Sequence, residues 1–264
     1  MDKFFQEQYG VVLLEQFREH VNNLMAAIQL LTPVIREHGG PKYMQYLAIA
    51  NQSIYRLMRL MSHMEFAQRA GEGDEEAIHR VPVDLSALCE TLEQEISPLV
   101  EKAGCNFQYE AQTAHLPMQA DITLLYQLIL NLISYALHTA GTGGRVGLKL
   151  VKDRRRAILT IWSSGLGRVK REPERILGHG STLSLEQSIA CTIAELHGGT
   201  MVVEQQEDRE SRAVVSLPIQ VGVKIPLFMK TPKSDYDGTG GFSTVLVGLS
   251  DVLPYQIYLS EDLE

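Results

Sequence analysis

The chain of 264 residues is poor in cysteine, with three, and has a single tryptophan. Cys89, Cys105 and Cys191 are scattered and form no C-x-x-C pair, which argues against a zinc ribbon or a dithiol redox site. Long apolar runs are missing too. No stretch approaches the ~18 consecutive apolar residues that a bilayer-spanning helix needs. Asp2, Glu7 and Glu15 interrupt the apolar residues at the N-terminus, unlike a secretory signal, so a cytoplasmic location without a membrane span is expected. Positive charge is in deficit: 24 Lys and Arg stand against 32 Asp and Glu, for a net charge of −8. That balance argues against nonspecific binding of nucleic acid or anionic membrane. No period of 20–50 residues repeats. What remains, 45% apolar and 21% charged residues, is the composition of an ordinary folded chain of one or two domains.

From Leu14 the apolar residues recur at Phe17, Val21, Leu24, Ile28, Leu31 and Ile35, alternating steps of three and four. This is a helical heptad seam. Pro33 lies inside it and removes the hydrogen bond to the carbonyl of Gln29, so a kink is expected there. Glu37-His38-Gly39-Gly40-Pro41 reads as a turn. A second seam follows at Leu47, Ala50, Ile54, Leu57, Met61 and Met64. Two antiparallel helices do not bury both stripes well alone. A second copy completes a four-helix bundle, so a homodimer is expected; the alternative is a hairpin packed on its own second domain. The polar run RAGEGDEEAIHR over 69–80 suits a linker. The organisation predicted is a hairpin domain over 1–68, a linker over 69–82, a second domain over 83–219 and an extension over 220–264.

In the second domain, Asp84 stands as an N-cap before the helical stripe Leu85, Leu88, Leu92, Ile96 and Leu99. A strand is predicted over 106–110 and a long helix over 121–138, starting at Asp121. Further strands are predicted over 145–151, 157–163, 200–205 and 213–218, with a helix over 185–196. Residues 169–177 read as a loop or short helix. Mixed helices and mostly consecutive strands give an α+β class, with helices layered on one face of a sheet. His197-Gly198-Gly199 reads as a helix stop. In the extension, strands are predicted over 244–249 and 255–259, as an appended β-hairpin or a partner-docking strand.

Residues 121–146, DITLLYQLILNLISYALHTAGTGGRV, and 194–203, AELHGGTMVV, carry a resemblance. With the Val83-Asp84-Leu85 entry they look like the ATP-binding domain of bacterial sensor histidine kinases. The resemblance implies the Bergerat-type α/β sandwich of gyrase, Hsp90, histidine kinases and MutL over roughly 83–219, with ATP and magnesium as ligands. The segment Glu19-His20-Val21-Asn22-Asn23-Leu24 is similar to that family's phosphoacceptor helix, whose motif reads His-Asp-Phe-Asn-Asn-Leu-Leu. Aligned so, the acceptor position holds Glu19, and His20 follows one place later.

The resemblance also shows where this chain departs. The family's Asn-x-x-x-Asn pair implies metal ligands at Asn131 and at the next turn, where this chain has Tyr135. His138 stands where a lysine or arginine near the phosphates is usual. The Asp-x-Gly-x-Gly box, whose aspartate accepts from the adenine amino group, is here Ser163-Ser164-Gly165-Leu166-Gly167. A serine is shorter and uncharged, and charge-assisted hydrogen bonds are about twice as strong as neutral ones. The Gly-x-Gly-Leu-Gly-Leu box is here Gly180-Ser181-Thr182-Leu183-Ser184-Leu185, so Thr182 and Ser184 replace glycines that let amides approach phosphate oxygens. The loop between Gly167 and Gly180 is short for the family's lid. Together these departures point to a histidine-kinase-like signalling protein with a degenerate ATP site, a scaffold that contacts a receiver domain or another kinase. Two alternatives stay open: an active kinase that autophosphorylates His20, and a histidine phosphotransfer protein.

Overall fold

A computed structural model of the chain describes residues 2–71, 78–165, 184–206, 210–219 and 242–259. The chain divides into two compact units, one made of residues 1–77 with 234–264 and the other of residues 78–233.

In the first unit, helix α1 spans Asp2–His38 and α2 spans Pro41–Gly71. They are joined through Gly39 and Gly40. A Cβ at Gly39 would lie 2.4 Å from the carbonyl oxygen of Ile35, so the turn requires glycine there. Pro41 then opens α2 at the one helical position that proline favours. Helix α1 continues through Pro33 to His38. The heptad stripe divides in two. Leu14, Val21 and Met25 on α1 are buried with Leu47, Ile54 and Met61 on α2, and an Arg18–Glu65 ion pair links the helices. Phe17, Leu24 and Leu31, from the same stripe, stay more than half exposed, as do Leu60 and Met64 on α2.

The extension differs from the prediction. Thr244–Gly248 is a short helix, α6, and Tyr255–Tyr258 is a single 3-10 turn; neither is a strand. Ser243 caps α6 by accepting the backbone N–H of Leu246 at 3.3 Å. The segment packs on α2, and its short apolar runs close on their own hydrogen bonds.

In the second unit, β1 (Val81–Asp84) pairs antiparallel with β3 (Pro117–Ala120) in a small sheet that the sequence pattern did not reveal. Asp84 ends β1 and caps α3 (Leu85–Lys102), accepting the N–H groups of Ser86 and Leu116, each at 3.0 Å. Burial works to raise the Asp84 carboxyl, but these donors and the imidazole of His115 at 2.8 Å outweigh it and hold it below its ordinary value. The main sheet has five strands in the order β2 (Asn106–Ala111), β4 (Arg145–Asp153), β5 (Arg156–Ser164), β7 (Glu210–Pro218) and β6 (Thr200–Gln206). Among the described strands only β2 and β4 run parallel. Helices α3, α4 (Ile122–Ala140) and α5 (Leu185–Leu196) pack against it.

Alternation along the strands separates two faces. Val146, Leu148, Leu150, Leu159, Ile161, Val215 and Leu217 are buried. Between them Arg145, Lys149, Trp162 and Arg212 turn the other way and line an open hollow of about 490 Å³ with Glu204. Helix α4 is apolar almost all round, and among the described helices it alone is long and apolar enough to cross a bilayer. Leu125, Leu128, Ile129 and Ile133 on it are fully buried, as in a core helix.

Candidate functional site

Asn131, Tyr135 and His138 follow one another along α4 at steps of four and three, which sets them along one side of the helix. Asn131 is buried; Tyr135 and His138 are half-buried. Helix α4 stops at Gly141, whose N–H donates to the carbonyl of Leu137. The end of β5 passes close by: a Cβ at Gly165 would lie 2.2 Å from the carbonyl oxygen of Ala140. Gly165 is therefore required by the approach of strand to helix.

Ser163 is the last buried residue of β5, and its side chain turns to β7. Its hydroxyl lies 2.8 Å from that of Ser211 and also accepts the Ser211 N–H at 3.3 Å. Both serines are buried. Ser211 was not singled out in the sequence; only the pairing of Ser163 with Ser211 in the strand register joins them.

Ser184 is the N-cap of α5. Its hydroxyl accepts the N–H of Gln187 at 3.3 Å, and the Gln187 side-chain oxygen accepts the N–H of Ser184 at 2.9 Å. This reciprocal capping box takes up two of the amides at the start of α5. Gln187, buried at its core, is a residue the sequence reading missed, although Ser-x-x-Gln ahead of an apolar stripe is the signature of such a box. Gly167, Gly180 and Thr182 lie outside the described residues.

At the other end of α5, His197 joins two helices. Its Nε2 accepts the N–H of Asp121 at 3.1 Å, and its Nδ1–H donates to the carbonyl of Ile193 at 2.8 Å. Asp121 in turn caps α4 through Leu124. Gly198, at φ +73, completes the stop of α5 in the left-handed region. Glu19 and His20 are on α1, in the other unit, and both are solvent-exposed. Among the described residues no three of His, Cys, Asp and Glu gather as a metal site.

Residues 120–221 match the family described as histidine kinase-, DNA gyrase B-, and HSP90-like ATPase. Over those residues the chain therefore carries a domain of the GHKL ATPase type. It is 24% identical over 228 residues to the sensor histidine kinase RppB of Synechocystis sp., a match covering 81% of this chain and 49% of RppB. It is also 24% identical over 227 residues to the adaptive-response sensory kinase SasA of Synechococcus sp., covering 81% of this chain and 60% of SasA. The chain spans about half the length of these two relatives. The structure of full-length ShkA in complex with AMPPNP superposes with a TM-score of 0.61 at 19% identity, covering 80% of this chain and 46% of ShkA, a likeness of fold.

Proposed function

We propose that this histidine-kinase-like chain is a two-component signalling protein that acts by binding, not by phosphoryl transfer. It works in the cytoplasm as a homodimer, and its partner is a response-regulator receiver domain or another kinase.

The observation that carries this reading is the bond between Ser163 and Ser211. Ser163 stands where the family has the carboxylate that accepts from the adenine amino group. Here the group is a buried hydroxyl whose hydrogen bonding is taken up within the sheet. Two other features agree. The Ser184–Gln187 box occupies amides at the end of α5 that the family turns toward phosphate. Tyr135 puts an aromatic ring where the family has a compact amide ligand. This set of groups does not fit ATP with magnesium. The dimer draws support from the exposed seam of Phe17, Leu24, Leu31, Leu60 and Met64.

Calorimetric titration with ATP and magnesium tests the reading. No heat and no thermal stabilisation at millimolar nucleotide are expected; saturable binding would return the protein to the active kinases. A second reading, a histidine phosphotransfer protein, is favoured by the exposure of His20. It requires acid-labile label to pass from a phosphorylated receiver to the wild-type chain and not to His20→Ala.

A further inference from the structure

Asn51, Gln52, Tyr55, Arg56 and Arg59 recur at helical spacing along one side of α2. Asn51, Gln52 and Arg59 are buried there, at 2%, 7% and 3% exposure. Side chains of this kind are mostly exposed unless partnered, and an isolated two-helix hairpin would leave them in water. The segment 242–259 covers them.

The contacts have a consistent chemistry. Gln52 Nε2 donates to the carbonyls of Ser250 at 3.0 Å and Leu253 at 2.7 Å. Asn51 Nδ2 donates to the carbonyl of Tyr258 at 2.9 Å, and Arg56 Nε to that of Ser250 at 3.2 Å. The Ser250 and Tyr258 carbonyls lie at or just beyond the C-terminal ends of α6 and the 3-10 turn, where a short helix leaves its acceptors unsatisfied, and the Leu253 carbonyl lies between the two elements. Helix α2 thus satisfies from outside what the segment does not satisfy itself. One acidic side chain is read directly: Asp251 accepts from Arg59 Nη1 at 2.6 Å and pairs with Arg56 Nε at 3.3 Å. The Tyr55 ring meets Phe242 edge-on at 5.6 Å and Tyr258 at 5.0 Å. The Tyr258 hydroxyl closes the segment on itself by donating to Leu246 O at 2.9 Å. Burial raises both the Tyr258 and the Tyr55 phenol above the ordinary value. A five-residue helix has no stability alone, so the segment owes its shape to this surface.

Residues 78–233 lie in sequence between the two parts of the first unit. We propose that this face of α2 is a peptide-docking site whose ligand is the same chain's segment 242–259. The docked segment is a latch that tethers the ATPase-like unit to the hairpin at both of its ends. With the latch seated, the unit is held by the chain before residue 78 and by the chain after residue 233. With it released, only the first connection remains, and the range open to the unit widens. Fully extended, the twenty-two residues 220–241 could span at most roughly 75 Å. The segment docks on its own chain, because closure over so short a connection gives a high local concentration.

Hydrogen exchange on the full chain tests this. In the wild type, the amides of Val247, Leu249, Leu253 and Ile257, each hydrogen-bonded within the segment, exchange slowly together. Asp251→Lys faces Arg56 and Arg59 with a like charge and speeds them at least about tenfold, while amides of β4, β5 and β7 keep their wild-type rates. Adding Arg56→Glu to Asp251→Lys restores most of the protection. Fast exchange of the segment in the wild type, or indifference to Asp251→Lys, overturns the latch. So does protection that disappears on about hundredfold dilution, which would mean that a second copy supplies the segment. A general unfolding is told apart because it would also speed the sheet amides.

Discussion

Ser163 and Ser211 hold each other across β5 and β7, two buried side chains with their hydroxyl oxygens 2.8 Å apart. Removing either hydroxyl leaves the other buried without its partner. Ser163→Ala and Ser211→Ala are each expected to cost about 1–3 kcal/mol. The double variant should cost less than the two together, by roughly 1 kcal/mol, since no orphan remains. Urea denaturation of the four proteins gives this coupling. Strictly additive losses would mean that the two hydroxyls do not depend on one another.

The clasp of His197 on Asp121 makes the second unit sensitive to acid. Burial lowers the imidazole pKa, outweighing the Ile193 carbonyl and the Asp121 carboxylate that favour the cation, and Arg80 adds to the lowering. Its Nε2 must stay unprotonated to accept the Asp121 N–H. Above about pH 6.5 the imidazole is neutral in both folded and unfolded chains and has no effect. As pH falls below that value the unfolded chain takes up the proton first, so stability declines until the lowered folded pKa is passed. The denaturation midpoint should therefore fall between about pH 7.5 and 5.5, and His197→Gln should fall less over the same interval. An equal fall in both proteins would acquit His197.

Much of this was legible from residue pattern, and the parts that were not share a cause. Helix α4 is a nineteen-residue element with an aspartate cap and apolar residues on most sides, so local preference and burial agree. Strands β4 and β5 show clear alternation. Strands β1 and β3 have four residues each and exist only because each pairs with the other. Helix α6 was read as a strand because the short run Val245-Leu246-Val247 carries no period, and its surroundings on α2 decided the outcome. The hairpin seam was visible, but not which half faces α2 and which stays open. At the site, Ser163 and Ser184 were read as losses from the family pattern. Their own bonds depend on strand register in one case and on a capping box, readable but overlooked, in the other.

Trp162 lies over Gly147, its partner in the register of β4 and β5. A Cβ at position 147 would fall 2.3 Å from the indole. Gly147→Ala must therefore push the ring off the sheet, at about 1–3 kcal/mol for an overpacked contact. Because the chain has one tryptophan, its fluorescence reports the site alone. A shift of emission to longer wavelength, with a lower denaturation midpoint, is expected. Unchanged emission would show that the strand gives way and the ring does not.

The open half of the hairpin stripe makes the proposed dimer testable at a single position. Leu24 is 53% exposed in the single chain, so a charge there does little to the hairpin itself. In a four-helix bundle of two copies it would sit among Phe17, Leu31, Leu60 and Met64, all apolar and all open in the single chain. Leu24→Glu would then bury a carboxylate without a partner, a penalty of several kcal/mol felt by the dimer and not by the monomer. Light scattering at micromolar concentration should report twice the 29.5 kDa chain mass for the wild type and once for the variant, with the same helix content. A wild type that is monomeric at every concentration removes the dimer. A variant that stays dimeric moves the interface to another face.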